Sequence, residues 1–254
     1  MEMPPLISIV IAVFNGAKTL QQCIASIESQ TYSHKELIIM DGGSTDGTVE
    51  ILERNDVAID YWESQKDRGI AHAWNKALEH ASGDWIIFLG SDDRLHDVEV
   101  LSDVANIIAE SKTVDLVYGR IIFEGGAYDG LEFGSQNDLE VIKRRMAVPH
   151  TATFHRRKLF TEIGKFDEQF QIAIDYEFFL RKKLTAHFMD RIVCVMGGVG
   201  MSSCLVKKSL SENRRAQIKN RADWRVKIEL LYALFLLRHQ LLHWRTKVRI
   251  HDSN

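Results

Sequence analysis

The amino-acid sequence predicts an α/β protein in which a mostly parallel β-sheet is flanked by helices. Short apolar segments alternate with amphipathic segments through the first hundred residues, an order typical of βαβ units. The apolar segments are nearly continuous, as in strands that are covered on both faces. Polar clusters follow three of them, at residues 14–15, 41–46 and 90–93. Because parallel strands end at a common edge of a sheet, we expect these clusters to converge there.

The spacing of apolar residues predicts each element in order. Asp46 or Thr48 is the expected N-cap of the second helix. The glycine-rich segment 125–134 is expected to form a loop or a hairpin. Helices are predicted around residues 20–27, from 49 onward, and at 70–78, 98–108 and 174–184. Strands are predicted at residues 6–14, 36–40, 59–62, 84–89, 116–123, 149–154 and 192–196.

Composition and charge divide the chain into two parts. The 254 residues are 45% hydrophobic and carry a net charge of -3, but residues 213–250 contain ten Lys/Arg and only two Asp/Glu. We therefore predict one catalytic domain at 1–205 and a basic, amphipathic helical extension at 206–254. The extension could pack on the domain, form an oligomer contact, or lie on an anionic membrane. Nucleic acid is not an expected partner, because no basic face interleaved with aromatic residues is present.

The cysteines and the N-terminus predict a cytoplasmic protein. Cys23, Cys194 and Cys204 form no CxxC pair, so free thiols in a reducing compartment are expected. The N-terminus has no basic segment ahead of its apolar run, unlike a signal peptide. No apolar run approaches the ~20 residues that span a bilayer. A membrane contact through the extension would place the protein peripherally, at the inner face.

Two adjacent carboxylates, Asp92 and Asp93, follow the strand predicted at 84–89 through Gly90 and Ser91. Ligands bind outside the carboxyl ends of strands in open α/β sheets. Carboxylates at such a position are hard oxygen ligands, suited to Mg²⁺ or Mn²⁺ held together with a phosphate. The alternative is a solvated turn, in which Asp is common.

An ordered set of motifs resembles the family 2 glycosyltransferases, which share the Rossmann-like GT-A fold. The resemblance extends over roughly residues 6–200. Its pieces are SIVIAVFN at 8–15, IMDGGSTDGT at 39–48, DRGI at 67–70, WNK at 74–76, GDW at 83–85, LGSDD at 89–93, FDE at 166–168 and DYE at 175–177.

The resemblance implies an inverting transfer of a sugar from a nucleotide-sugar, most often UDP-linked, to a hydroxyl of a glycan or lipid-linked acceptor. It implies that Asp175 is the general base, that Asp92 and Asp93 hold the divalent metal, and that His150 lies near the acceptor. It also implies a donor site, which would comprise Ala12, Phe14, Asn15, Asp41, Asp67, Asn75 and Asp92.

The sequence departs from the family pattern at three positions. Gly90 stands where the family often has an acidic residue, Gly42 replaces a frequent second carboxylate, and Ile174 replaces the acidic neighbour of the base. Metal binding therefore rests on Asp92 and Asp93, and the sequence leaves open which of them contacts the metal.

Several residues also have an ordinary structural explanation. Asp41 could stabilise a turn, Asn75 could lie on a polar helix face, His150 could be a core histidine, and Asp175 could be a charge at a helix N-terminus. Other nucleotide-using enzymes and a non-catalytic binding protein are the competing functions. The absence of GxGxxG and GxxxxGK[ST] motifs argues against dinucleotide and P-loop chemistry.

Overall fold

The computed structural model describes residues 4–111, 113–197 and 205–237. Within them, nine strands form one mixed sheet and helices cover both of its faces. The strands are β1 (Ile7–Val13), β2 (Lys35–Asp41), β3 (Tyr61–Ser64), β4 (Trp85–Gly90), β5 (Arg94–Leu95), β6 (Leu116–Glu124), β7 (Glu132–Phe133), β8 (Thr153–Arg156) and β9 (Ala186–Gly197).

Within the described ranges, eight helices precede a final helical segment, which spans residues 225–237. Two short 3₁₀ turns lie at Gly126–Tyr128 and His150–Ala152. The helices are α1 (Leu20–Glu28), α2 (Thr48–Arg54), α3 (Ile70–His80), α4 (Val100–Glu110), α5 (Asp138–Val141), α6 (Leu159–Glu162), α7 (Ile174–Phe179) and α8 (Val206–Lys219).

The strand order is β3-β2-β1-β4-β8-β6-β9-β5, and β7 pairs with β6 as a hairpin. The first four strands in this order are mutually parallel, as the βαβ pattern predicts. Strand β8 is antiparallel to both of its neighbours, while β6 and β9 are parallel. The sheet curls, because β5 leaves the end of β4 and pairs with β9 three positions away.

The strands at the centre of the sheet bury both of their faces, as their continuous apolar runs predict. On β4, Ile87 and Leu89 face a core shared with α1, α2 and α4. Ile86 and Phe88 face the opposite core, which contains residues of α3, α6, α7 and α8. The mostly parallel α/β architecture predicted from the sequence is therefore confirmed.

Three predicted elements differ in their bounds by more than two residues. Residues 150–152 form a 3₁₀ turn, and the strand begins only at Thr153. Helix α7 ends at Phe179 instead of 184, and the Arg181 guanidinium turns back to the carbonyl oxygens of residues 163–165. Strand β9 begins at Ala186, six residues earlier than predicted, and pairs with β6 through a register shift.

The first part of the predicted extension packs on the catalytic domain. Ala216 of α8 is fully buried in the core that contains α7.

Cys23 and Cys194 are buried free thiols. Cys204 and the basic residues Arg238, Arg245, Lys247 and Arg249 lie outside the described residues. No helix in the described ranges has the length and apolar character to cross a membrane.

Candidate active site

The three polar clusters expected to converge do lie together at the carboxyl edge of the sheet. Ala12, near the end of β1, pairs with Met40 on one side and Gly90 on the other. The Asn15 backbone N–H donates to Ser44 Oγ at 2.7 Å, and the Thr45 N–H donates to Asn15 Oδ1 at 3.0 Å. These bonds tie the turn after β1 to the loop after β2.

Asp41 builds the loop that follows β2. Its side chain is 2% exposed, and Oδ2 accepts the backbone N–H groups of Gly43 at 3.1 Å and Ser44 at 2.9 Å. The Ser64 hydroxyl donates to the same oxygen at 2.6 Å, and the Ser44 hydroxyl donates to Oδ1. The structural role considered for Asp41, the stabilisation of this turn, is therefore present in the fold.

Phe14 and Asp67 flank Gly42 above the strand ends. The Phe14 ring is 67% exposed. A Cβ added at Gly42 would lie 3.4 Å from that ring and 2.9 Å from Asp67 Oδ2, so the absent side chain keeps the space between them open. Asp67 Oδ1 accepts the Gly69 N–H at 2.8 Å, which leaves Oδ2 directed at the gap. An aromatic face beside a carboxylate suits a planar base that stacks and donates a hydrogen bond.

Asp92 and Asp93 have different environments. Asp92 is exposed, and its carboxylate lies between Gly90 and Gly197. A Cβ added at Gly90 would lie 2.7 Å from Asp92 Oδ1, and a Cβ added at Gly197 would lie 2.8 Å from Asp92 Oδ2. Asp93 is 4% exposed, and its Oδ2 accepts the Gly90 N–H at 2.8 Å. Burial and the neighbouring Asp92 raise the pKa of Asp93 to about 7. Asp92 is thus the carboxylate that faces outward.

The donor set at this edge fits a partial metal site. No group of three or more His, Cys, Asp or Glu side chains within the described ranges could hold a metal by itself. Mg²⁺ and Mn²⁺ accept one or two carboxylates together with phosphate oxygens and water, and Asp92 offers such a carboxylate. The chain alone therefore supplies an incomplete coordination sphere that a diphosphate could complete.

Asp175 lies at the first turn of α7. Its Oδ1 accepts the backbone N–H of Tyr176 at 2.7 Å, and no side chain in the described part of the chain pairs with it. Burial raises the pKa of Asp175 to about 6, although the Tyr176 N–H opposes the shift. Arg181 pairs with the fully buried Glu177 rather than with Asp175. A mostly buried carboxylate with a pKa near 6 is suited to accept a proton near neutral pH.

His150 does not lie on an open acceptor face. It is 9% exposed, and its ring packs between Trp74 at 4.9 Å and Phe88 at 5.6 Å between ring centroids. Nε2 of His150 is buried without a hydrogen-bond partner. Burial, together with His155, lowers the pKa of His150 well below its usual value, so the ring is neutral. The structure thus gives His150 a core position, and the acceptor role has no support in its geometry.

Asn75 is also engaged elsewhere. Its Nδ2 donates to the Phe166 carbonyl oxygen at 2.9 Å, and its Oδ1 accepts the Phe166 N–H at 2.9 Å. Both ends of the amide therefore hold α3 against the turn that precedes α7. Asn75 therefore has a structural role in the fold, and its part in donor binding stays a prediction.

Several residues of the site carry no recognisable sequence signal. Ser64 and Gly197 reach Asp41 and Asp92 from distant parts of the chain. Cys23 Sγ donates to the Gly90 carbonyl oxygen at 3.6 Å and belongs to α1.

The N-cap position of α2 is Gly47, not Asp46 or Thr48, although Asp46 Oδ1 accepts the Thr48 N–H at 3.1 Å.

The curled α/β sheet and the carboxylates at its strand ends match the architecture of the GT-A class of glycosyltransferases. The chain belongs to glycosyl transferase family 2, whose family model matches residues 8–187. The resemblance noted from the motifs is thereby confirmed, and the protein is a glycosyltransferase.

Named relatives and solved structures agree with this assignment. The chain is 33% identical over 214 residues to a PGL/p-HBAD biosynthesis glycosyltransferase of Mycobacterium tuberculosis, covering 80% of this chain and 82% of the relative. It is 32% identical over 174 residues to glycosyltransferase AglE of Haloferax volcanii, covering 64% and 56%.

Among solved structures, residues 1–349 of S. aureus TarS with UDP-GlcNAc match with a TM-score of 0.67 and 22% identity, over 92% of this chain and 72% of that one. The chain spans 43% of the longer TarS structure. The mannosyltransferase PcManGT from Pyrobaculum calidifontis, with GDP-Man and Mn²⁺, matches with a TM-score of 0.65 and 20% identity, over 87% and 65%. These similarities establish the fold.

Proposed function

We propose that the protein is an inverting, divalent-metal-dependent hexosyl- or N-acetylhexosaminyl-transferase. Its donor would be a UDP-linked sugar, and its acceptor a hydroxyl of a glycan or polyprenyl-linked intermediate in cell-surface polysaccharide or glycolipid synthesis. The observation that carries the proposal is the arrangement at one sheet edge, where the exposed Phe14 ring and Asp67 flank a gap and Asp92 faces outward. Solved neighbours of the same fold contain UDP-GlcNAc, or GDP-Man and Mn²⁺.

In the proposed mechanism, Phe14 stacks on the base and Asp67 accepts a hydrogen bond from it or from the ribose. Asp92 would hold the metal ion, which when bound would supply a Lewis acid for the charge that develops on the leaving diphosphate. Asn15, Ala12 and the Asp41 loop shape the rest of the donor site. The backbone bonds among these turns hold them in place before the donor binds.

Asp175 is the proposed general base. As the acceptor oxygen forms its bond to the anomeric carbon, its proton passes to the Asp175 carboxylate. The bond from the anomeric carbon to the diphosphate oxygen breaks, and its electron pair leaves with the nucleoside diphosphate. A single displacement of this kind inverts the anomeric centre, and base catalysis contributes ~10²–10⁴ in rate.

Calorimetric titration with UDP, with and without Mn²⁺, tests the donor site, and a screen of nucleotide-sugars identifies the sugar. We expect Mn²⁺-dependent UDP binding. We also expect Asp175→Asn to retain that binding and lose transfer, while Asp190→Asn, at an exposed carboxylate on β9, retains both. A protein that binds no nucleoside diphosphate under either condition contradicts the donor proposal. Near-parental transfer by Asp175→Asn contradicts the assignment of the base.

For the final helix we infer contact with an anionic membrane, which would bring the enzyme to lipid-linked acceptors. Val226, Leu230, Leu234 and Leu237 recur at helical spacing and are all more than half exposed, whereas Ile228 on the other face is 2% exposed. The exposed Arg225 lies on the same segment, and the sequence beyond residue 237 is basic. An apolar stripe with basic flanks matches the surface of an anionic bilayer.

Sedimentation with vesicles tests this contact. We expect the protein to bind vesicles that contain phosphatidylserine more strongly than neutral vesicles, and a Leu230→Glu/Leu234→Glu variant to lose binding. Light scattering of the same samples detects self-association. Equal failure to bind either vesicle, or a stripe covered by a second copy or by residues 238–254, contradicts the membrane assignment.

A further inference from the structure

Glu212 of α8 holds the segment that leads into α7. Its Oε2 accepts three consecutive backbone N–H groups, from Gln171 at 3.0 Å, Ile172 at 2.8 Å and Ala173 at 3.1 Å. Glu212 is 7% exposed. Burial acts to raise the pKa of Glu212, but the three N–H groups together hold it below its ordinary value, so the carboxylate is ionised. Hydrogen bonds to a charged acceptor are among the stronger ones in proteins.

Helix α8 also holds the residues that follow Asp175. Gln217 Nε2 donates to the Tyr176 hydroxyl at 2.9 Å, and both groups are buried. The same amide donates to the carbonyl oxygens of Lys143 and Arg144, at 3.1 Å each. Two residues further along α8, Lys219 Nζ lies 2.8 Å from Glu177 Oε1. Helix α8 therefore holds the chain on both sides of Asp175, through backbone N–H groups before it and through two side chains after it.

Asp175 itself has few restraints. Its carboxylate accepts the backbone N–H groups of Tyr176 and of Asp175 itself, and no side chain in the described ranges pairs with it. Helix α7 has six residues, and a helix this short depends on tertiary contacts for its stability. The direction in which the Asp175 carboxylate points is thus set by the chain on either side of it. Helix α8 contacts the backbone at residues 171–173 and the side chains of residues 176 and 177.

We propose that α8 is a positioning element for the general base, through Glu212 before Asp175 and Gln217 after it. The inference rests on the proposed role of Asp175. It assigns to the predicted C-terminal extension a part in the chemistry of the catalytic domain. Donor binding should not depend on it, because the residues of the proposed donor site, Phe14, Asp41, Asp67 and Asp92 among them, lie at or beyond the ends of strands β1 to β4.

Kinetics of Glu212→Ala, Glu212→Gln and a control, Glu53→Ala, test the proposal. Glu53 is an exposed carboxylate on α2. A misplaced base can cost ~10²-fold in rate. We expect Glu212→Ala to lower kcat ~10- to 100-fold with UDP affinity unchanged. The kcat of Glu212→Gln should fall less, because its amide oxygen still accepts N–H groups. The kcat and UDP affinity of Glu53→Ala should match those of the parent.

Two further measurements separate positioning from loss of the fold. Hydrogen exchange should accelerate in the peptide that spans residues 171–177 in Glu212→Ala and stay unchanged across β1, β2 and β4. In an Asp175→Asn background, Glu212→Ala should cause no further loss of kcat, because groups that act as one unit are non-additive. Unchanged kcat in Glu212→Ala, or an equal loss in both backgrounds, overturns the positioning role. The effect of Asp175→Asn alone tests the base assignment separately.

Discussion

The carboxylate of Asp93 accepts the backbone N–H of Gly90 at 2.8 Å and thereby fixes the end of β4. The backbone N–H of Gly197, at the end of β9, also bonds this carboxylate. Strands β4 and β9 are separated by β8 and β6 in the sheet, so Asp93 joins two strand ends across the curl. Asp92 lies directly between the same two glycines. We infer that Asp93, by bonding the backbone at both strand ends, holds Asp92 in its outward-facing position between the two glycines.

This arrangement predicts that substitution of Asp93 mainly lowers the stability of the fold, whereas substitution of Asp92 mainly weakens metal-dependent UDP binding. Asp93→Ala leaves two backbone N–H groups without their acceptor, and we expect the free energy of unfolding to fall by about 2 kcal/mol. Asp92→Ala removes an exposed side chain, and we expect a change within about 0.5 kcal/mol together with loss of Mn²⁺-dependent UDP binding. Denaturant unfolding and calorimetry measure the two effects. Equal destabilisation by both substitutions would show that Asp93 has no special structural role.

Gly90 and Gly197 are expected to tolerate no side chain without displacing Asp92. A Cβ at Gly90 would lie 2.7 Å from Asp92 Oδ1, closer than van der Waals contact allows. We therefore expect Gly90→Ala to weaken Mn²⁺-dependent UDP binding about tenfold, equivalent to ~1.4 kcal/mol. Metal-independent UDP binding, which Phe14 and Asp67 would carry, should change little. If both modes of binding weaken in parallel, the substitution has disturbed the sheet edge and not the position of Asp92.

The pH dependence of transfer should report Asp175. Burial raises its pKa to about 6, and a general base must be deprotonated to accept a proton. We expect kcat to rise tenfold per pH unit below about 6 and to level off above it. The profile of Asp175→Asn, at its residual rate, should lack this limb. A profile that keeps the same limb after the substitution means that another group titrates.

The sequence alone was sufficient to predict those elements whose structure is determined by the local pattern of apolar and polar residues. The continuous apolar runs of β1, β2 and β4 located the centre of the sheet, and the polar residues after them located its carboxyl edge. Strand β9 was predicted too short, because His187, Asp190 and Arg191 interrupt its apolar character. Those side chains are tolerated because they lie in a more exposed part of the strand.

The supporting residues of the site could not be predicted in the same way. Gly197 and Glu212 are more than a hundred residues from β1 in the chain, and no periodicity links them to Asp92 or Asp175. Their roles depend on the curl of the sheet and on the docking of α8, which are products of long-range packing. The burial of His150 could not be predicted for a related reason, because the aromatic residues that pack around its ring come together only in the fold.

Phe14 gives a prediction about the donor that is independent of the metal. Its ring is 67% exposed, so Phe14→Ala should leave the free energy of unfolding nearly unchanged. Stacking of a base on an aromatic ring contributes ~1–3 kcal/mol, and we expect UDP binding to weaken correspondingly, with kcat at saturating donor retained. Val57→Ala, at another exposed apolar side chain on the surface, is the control. Parental UDP affinity in Phe14→Ala would remove Phe14 from the donor site.

The buried histidines predict that the protein loses stability in mild acid. His155 is fully buried, and burial lowers its pKa to about 4, although bonds to the Ile86 and Thr153 backbone oppose the shift. Its unfolded pKa is near 6.5. Between these values the unfolded chain binds a proton that the folded protein does not, so the stability falls as the pH falls from 6.5 towards 4. The loss attributable to this residue is on the order of 3 kcal/mol.

Unfolding measured from pH 7.5 to 4.5 tests this expectation on the parent, on His155→Gln and on His187→Gln. Glutamine removes the titrating ring at position 155 and can still donate to the Ile86 carbonyl oxygen, which His155 Nδ1 contacts at 3.2 Å. His155→Gln should be less stable at neutral pH because its ring packing is lost, but its stability should depend less on pH. His187 is exposed, so its substitution should leave the slope at the parental value. If the free energy of unfolding depends equally steeply on pH in His155→Gln, the acid sensitivity comes from other groups. His150 is the first of these to examine, because its ring centroid lies 5.1 Å from that of His155 and its ring is also neutral.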